Sequence, residues 1–228
     1  SRIVVDERQE GAFPLGDFPR PVVAETPISE RIAYYIFTSG SSGGSKAVCG
    51  RESALINLLD NLQSVAPVAA GNQCAAWTSV GFDVAVYEVF SALCYGATLN
   101  LVPAAIRSEG VELGRWLRAQ RIDSAYLPPF ALAEFATWLE AEAVELPLRR
   151  LLVGVEPIRE SLLARIEERI PDLRIVNGYG PSEASVCSTL FHPARFLHSD
   201  SPTPIGKPLP GVRLHILDTQ LDAVPVGI

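Results

Sequence analysis

Strand-length apolar runs alternate with stretches of helical period along most of the chain, and that alternation restricts the fold more than any other feature. The runs are "IAYYIF", "CAAWTSV", "ATLNLV", "DSAYLP", "RRLLVG", "LRIVNGYG" and "SVCSTLF"; between most of them lie "ESALINLLDNLQSV", "VAVYEVFSALC", "GVELGRWLRAQ", "FALAEFATWLEAEA" and "IRESLLARIEER". In the last helical stretch Ile158, Leu162, Leu163, Ile166 and Ile170 keep one face apolar, while Arg159, Glu160, Arg165, Glu167, Glu168 and Arg169 fill the rest. Gly96 and Pro171 punctuate helix ends. Strands joined by crossover helices predict an α/β fold with a doubly wound, mainly parallel sheet. Ligands of such sheets sit beyond the carboxyl ends of the strands, so the loops that follow strands are where chemistry is sought.

Two regions fall outside the alternation. Residues 1–28 are proline-rich with little periodicity and read as a leading segment. Residues 199–228, which include "SPTPIGKPLPGVRLHILDTQLDAVPVG", are rich in Pro and Gly and read as the start of a separate small β element. Residues 29–198 form the α/β lobe between them. The chain starts with Ser, has no methionine and stops on an apolar run, so it is expected to be an internal piece of something longer.

A net charge of −7 without a Lys/Arg stripe argues against nucleic acid or an anionic membrane as partner. Any anionic ligand then needs local, fixed donors. Cys49, Cys74, Cys94 and Cys187 are far apart with no paired spacing, so they read as reduced thiols of a cytoplasmic protein, neither a zinc ribbon nor a disulfide framework. No apolar run approaches the roughly 20 residues of a membrane span.

The stretch "IAYYIFTSGSSGGSKAV", Ile32 to Val48, admits three readings. A Gly/Ser linker fits the composition. Gly40-Ser41-Ser42-Gly43-Gly44 fits the G-x-S-x-G nucleophile elbow of a serine hydrolase, but the available bases, His192, His198 and His215, all lie in the polar C-terminal region. A phosphate-cradling loop fits best: glycines let backbone N–H groups approach an anion, hydroxyls add donors and Lys46 adds charge. It is not a P-loop, because Ser45 and Ala47 stand where that motif needs Gly and a hydroxyl.

This stretch resembles the phosphate-binding signature YTSGSTGxPKG of the acyl-adenylate-forming enzymes, with Ser42 for Thr, Ser45 for Pro and Ala47 for Gly. Further motifs follow in order. "NGYGPSE", Asn177 to Glu183, resembles the family's N-x-Y-G-P-T-E segment, in which the Tyr stacks on adenine, the hydroxyl contacts the α-phosphate and the Glu holds magnesium. "GFDVAVYEVFSALCYGATLNLV" resembles the F-D-x-S-x-x-E helix of the adenylation domains of nonribosomal peptide synthetases, and "YLPP" and "LLVGVEPI" complete the series, Val155 standing where the family has a second glycine. The resemblance covers nearly the whole sequence but about the middle half of an adenylation domain, and it implies a flavodoxin-like lobe of that larger core.

What the resemblance implies can be stated residue by residue. Ser182 and Glu183 are the catalytic pair, Glu183 being the metal ligand. ATP falls to Thr38, Ser39, Gly40, Ser41, Ser42, Gly43, Lys46, Val155, Glu156, Asn177, Gly178, Tyr179 and Gly180. The substrate pocket is Asp83, Val84, Tyr87, Tyr126, Leu152, Gly154, Gly178, Val186 and Cys187, with Asp83 pairing the α-ammonium of an amino acid. An Asp at a helix start is also a plausible N-cap. Used as an ion pair near 3 Å, it supplies on the order of 5 kcal/mol before desolvation, at an effective dielectric of about 20. Two tyrosines and no further charge favour a small or medium aliphatic amino acid, although three small residues would also leave room for a ring. The implied reactants are the amino acid, ATP and Mg²⁺. The implied partners are the remaining adenylation subdomains, a carrier-protein domain bearing phosphopantetheine and an MbtH-like accessory protein. Two other functions stay open: an acyl- or aryl-acid ligase, which has no need of Asp83, and a recognition module without catalysis.

Overall fold

The computed structural model describes residues 2–4, 27, 30–39, 45–142 and 145–225, with backbone alone at 2–4 and 39. Most of the leading segment and residues 40–44 lie outside the described residues. An eight-stranded sheet is built from β1 (Arg2–Val4), β4 (Gln73–Ala76), β5 (Thr98–Leu101), β6 (Ser124–Tyr126), β7 (Arg150–Gly154), β8 (Arg174–Tyr179), β9 (Thr189–Phe191) and β10 (Lys207–Pro208), in the order β1-β5-β4-β6-β7-β8-β9-β10. Pairing is parallel from β1 to β8 and antiparallel at β8–β9 and β9–β10. The expected mainly parallel α/β sheet is thus the fold found.

Among the described residues five α-helices cover it: α1 (Glu52–Val65), α2 (Val84–Leu93), α3 (Gly110–Ala119), α4 (Pro129–Glu142) and α5 (Glu160–Glu167). Because strand side chains alternate, each strand splits its residues between two cores. Ala75, Ala125, Leu151, Val153 and Ile175 pack with α3, α4 and α5. Tyr126, Leu152 and Val176 pack with α1 and the start of α2, and Cys74, Ala76 and Leu99 with its end. On α1 the buried residues are Leu55, Leu58, Leu59 and Leu62, one turn apart on one stripe. Each contributes about 1.5–3 kcal/mol by burial.

From β4 the chain steps outward to β5 and then returns across to β6 on the other side. Right-handed crossovers put helices of opposite travel on opposite faces, and the connections after β4 and β6 diverge at their carboxyl ends. That divergence opens the crevice where the candidate site lies.

One sequence expectation is corrected. "IAYYIF" is not a strand of the parallel sheet leading into a helix. It belongs to β2 (Ile32–Ser39), which pairs antiparallel with β3 (Ser45–Arg51) in a separate two-stranded ribbon, and only then does α1 begin. The continuous apolar run imitated a doubly buried strand, yet Ile36 is buried while Phe37 is 70% exposed. Here alternation survives in burial although the residue types conceal it. The C-terminal region also rejoins the sheet in part, through β10 and the buried Leu209, before an isolated Leu217–Ala223 bridge.

Candidate functional site

The carboxyl ends of β6, β7 and β8 surround a cavity of about 250 Å³. Its wall is completed by the loop before α2 and by the chain returning toward β9. Asp83, Val84, Tyr126, Leu152, Gly154, Gly178, Val186 and Cys187, eight of the nine pocket residues expected, line it. Val155, Tyr179, Gly180 and Ser182, expected at ATP, line the same cavity. Glu156 and Glu183 are exposed beside these lining residues in the chain.

Asp83 is half-buried with helical backbone angles, φ −65° and ψ −26°, and makes no side-chain capping bond. A capping aspartate adopts extended backbone and accepts an amide proton from the first turn. The alternative role for Asp83 is therefore not realised. Among the described residues no hydrogen bond or ion pair engages its carboxylate, and it is the one charged side chain lining the cavity.

The walls depend on close backbone approach. Gly154 faces Gly178 across the β7–β8 register, and at φ +139° a Cβ on Gly154 would sit 2.1 Å from the Gly178 carbonyl oxygen. A Cβ on Gly178 would lie 2.6 Å from Cys187 Sγ. Val155 holds φ +78° and is 69% exposed, a left-handed conformation that β-branched residues adopt only at a cost. Val155→Gly is expected to stabilise the protein by about 1 kcal/mol, the relieved strain outweighing the added freedom of the unfolded chain. Urea denaturation of parent and variant measures this; an equal or lower midpoint for the variant refutes it. After the 3-10 turn Ser182–Ala184, Ser185 and Val186 are also left-handed, at φ 61° and 66°, and the chain there turns Val186 and Cys187 into the cavity.

Burial keeps the wall groups neutral. The Cys187 thiol is pushed up to about 12 by burial and, secondarily, by the Asp83 charge, so it is not a nucleophile. The Tyr126 phenol is raised by burial and then by Glu88 and other nearby acids. The Tyr34 phenol of the ribbon is raised by burial, nearby Ser185 opposes that, and Asp83 and Cys187 add to the rise.

Several expected residues lie elsewhere. Tyr87 does not line the cavity: it is 1% exposed, and the Arg150 guanidinium stands 5.7 Å from its ring centroid. Asn177 is buried on the opposite face of β8, where its Nδ2 donates to the Pro204 carbonyl at 2.9 Å. Thr38 Oγ1 donates across the ribbon to the Lys46 carbonyl at 3.5 Å, and Lys46 is exposed. Strand β3 packs against the Ser182–Ala184 turn. Gly40, Ser41, Ser42 and Gly43, and the side chain of Ser39, lie outside the described residues.

Arg150 and Glu88, the two most deeply buried charged residues among those described, were given no role by the sequence reading. Arg150 is 1% exposed; Nε donates to Ser124 Oγ at 3.0 Å, and Nη1 donates to the Ala66 carbonyl at 3.2 Å and Gln63 Oε1 at 3.3 Å. In "RRLLVG" period-two alternation puts Arg150 on the face of Leu152 and Gly154, which was signal enough. Glu88 is 2% exposed; its Oε1 and Oε2 accept from the backbone N–H of Trp77 and Thr78, each at 2.9 Å. A lone carboxylate inside "VAVYEVFSAL" marks it.

The arrangement joins an unpaired carboxylate in an apolar niche to a turn presenting a ring, a hydroxyl and a second carboxylate. Among the described residues no cluster of three or more His, Cys, Asp or Glu could hold a metal, and no helix is long and apolar enough to cross a membrane.

Sequence and fold comparisons agree with one another. The profile of the family described as "AMP-binding enzyme" matches residues 3–228. Phosphinothricin tripeptide synthetase PhsC of Streptomyces viridochromogenes is 32% identical over 223 residues, covering 97% of this chain and 19% of that protein. Among solved structures, the nonribosomal peptide synthetase FmoA3 superposes with a TM-score of 0.75 at 26% identity, over 87% of this chain and 21% of that one. The adenylation domain AlmE of Vibrio cholerae, solved with glycyl-adenosine-5'-phosphate, shares the fold with a TM-score of 0.72 at 22% identity, over 86% and 38%. The chain spans between 2% and 19% of the length of such curated relatives.

Proposed function

Because the chain belongs to the AMP-binding enzyme family, we propose that it forms the substrate- and nucleotide-binding lobe of an amino-acid adenylation domain. In this reading an amino-acid carboxylate attacks the α-phosphorus of ATP, the bond to the β-phosphate oxygen breaks, and aminoacyl-AMP and pyrophosphate result. The observation that carries it is the unpaired Asp83 carboxylate facing the same cavity as Tyr179 and Ser182.

Each residue follows from its chemistry. Asp83 pairs the α-ammonium and orients the substrate, its charge being worth more in an apolar niche than in water. The attacking carboxylate is already a nucleophile, so positioning and charge stabilisation suffice and no base is needed. Half-exposed Tyr179 offers a face for adenine, and the Ser182 hydroxyl a donor for the α-phosphate. Magnesium binds through one or two carboxylates plus substrate phosphates rather than in an all-protein cage, and the exposed Glu183 fits that demand. Bound there, the ion would neutralise phosphate charge.

An apolar wall without a second charge suits an aliphatic side chain, since an unpaired buried charge costs several kcal/mol. In this reading residues 29–198 form most of the lobe, while 1–28 and 199–228 lend β1 and β10 to its sheet and otherwise belong to its neighbours in a synthetase that passes its product to a phosphopantetheinyl carrier domain. An MbtH-like protein is the accessory partner in this reading.

A panel of amino acids tested for ATP–pyrophosphate exchange in the full-length protein decides the matter. Small and medium aliphatic amino acids are expected to drive exchange, and acidic and basic ones not. Equal exchange with carboxylic acids lacking an amine would instead establish an acyl- or aryl-acid ligase, and binding without exchange a recognition module.

A further inference from the structure

The Glu88 carboxylate sits in an unusual place for a buried acid. It lies on α2, yet both of its oxygens are spent on the amides of Trp77 and Thr78, the first two residues after β4. Between those amides and α2 runs the connection that carries Asp83. The first residue of that connection is itself held: the Trp77 indole Nε1 donates to the Arg107 carbonyl at 2.9 Å, and its ring lies 6.1 Å from Tyr126 and 5.8 Å from Phe130. The far end is exposed at Val80 and Phe82, where the Phe82 N–H donates to the Ser79 carbonyl at 2.9 Å. Among the described residues Glu88 has no ion-pair partner. The charged and titratable groups facing it are Arg107 after the 3-10 turn Ala104–Ile106, Tyr126 on β6 and Tyr87 on α2.

We propose that Glu88 is a positioning residue: by clamping the two amides that follow β4, it closes the Trp77–Asp83 loop and sets where the Asp83 carboxylate stands on the cavity wall. The proposal rests on the reading of Asp83 as the amine-binding group. A carboxylate takes both amides because each oxygen only accepts. Glutamine keeps the shape but turns an NH₂ toward one of the two donors, leaving that amide unmet, and aspartate is too short to reach both. Burial pushes Glu88 up to about 7 against the opposing pull of the two amides. A proton on either oxygen weakens the clamp in the same way as the amide does, so the loop loosens as pH falls through that value.

The test uses the full-length protein with Glu88→Gln and Glu88→Asp. In the parent, the KM for the activated amino acid is expected to rise as pH is lowered from 8 to 6. In Glu88→Gln it should be raised about tenfold or more at pH 8, the loss of a hydrogen bond to a charged group, and be flat through pH 7. Glu88→Asp keeps the charge but not the reach, and should show a raised KM with a surviving pH limb. Titration of ATP is common to all variants and cancels in their comparison. Hydrogen exchange at Trp77 and Thr78 supplies a readout independent of catalysis: protection is expected to fall in Glu88→Gln. Unchanged protection, an unchanged amino-acid KM, or a limb near pH 7 that persists in Glu88→Gln overturns the proposal. Lost protection in a protein that activates no amine-bearing substrate supports the clamp and defeats the functional reading on which its purpose rests.

Discussion

Asp83→Ala is expected to lower kcat/KM for amino-acid-dependent ATP–pyrophosphate exchange by about two to three orders of magnitude. Removing one partner of a buried ion pair typically costs about 3–5 kcal/mol, and each 1.4 kcal/mol is a factor of ten. Among the described residues the carboxylate has no other partner to satisfy, so the loss falls on substrate binding rather than on folding. The variant should therefore retain the parent's melting temperature. It should also lose its preference for amines, so that a des-amino analogue competes better against the amino acid than it does in the parent. Asp83→Asn separates charge from shape, since the amide occupies the same space and supplies no counter-charge; it should be nearly as impaired. Undiminished exchange by Asp83→Ala would favour an acyl- or aryl-acid ligase.

The second large effect is structural. Gly154→Ala should destabilise the protein by about 3–5 kcal/mol, in the range reserved for core and backbone disruption. The new Cβ meets a backbone carbonyl, that of Gly178, at 2.1 Å, and no rotamer change relieves it. Either β7 and β8 separate at the cavity wall or the strained φ of +139° is abandoned. Gly178→Ala is the instructive contrast, because there the obstacles are side chains, chiefly the Cys187 thiol at 2.6 Å and then Leu152 Cδ1 at 3.3 Å, with the Cys187 Cβ a tolerable 3.7 Å away. Its cost should be smaller and should be largely recovered in the Gly178→Ala, Cys187→Ala double variant, whereas Cys187→Ala does nothing for Gly154→Ala. Thermal unfolding of the parent and these variants checks both statements. A Gly154→Ala protein as stable as the parent, or a double variant no better than Gly178→Ala, would refute them.

Particular residues show where sequence reasoning reached its limit. The strands at "RRLLVG" and "LRIVNGYG" and the helix at "VAVYEVFSALC" were legible because their periods, 2 and 3.6, are local properties of the backbone. Eight of the nine pocket positions that the family resemblance implies line the cavity, at the ends of β6, β7 and β8, in the loops that follow strands or at the start of α2. "IAYYIF" misled because a strand of a two-sided ribbon and a strand of a buried sheet can share one composition. What separates them is the partner, and "SKAVCGR", lacking an apolar run, did not announce itself as one. Tyr87 misled for a related reason. Its place on α2 is right, but its ring is drawn under Arg150, whose position depends on Ser124, Gln63 and Ala66 from other parts of the chain.

Local sequence thus carried the elements, their order and the motif residues, all of which depend on neighbours within a few positions. Assembly alone settled which strands pair, that Asp83 is left without a partner among the described residues, that Arg150 and Glu88 are buried, and that Tyr87 stands away from the cavity. Those outcomes turn on contacts between residues tens of positions apart. Their energies balance desolvation against pairing, a balance no segment can strike by itself.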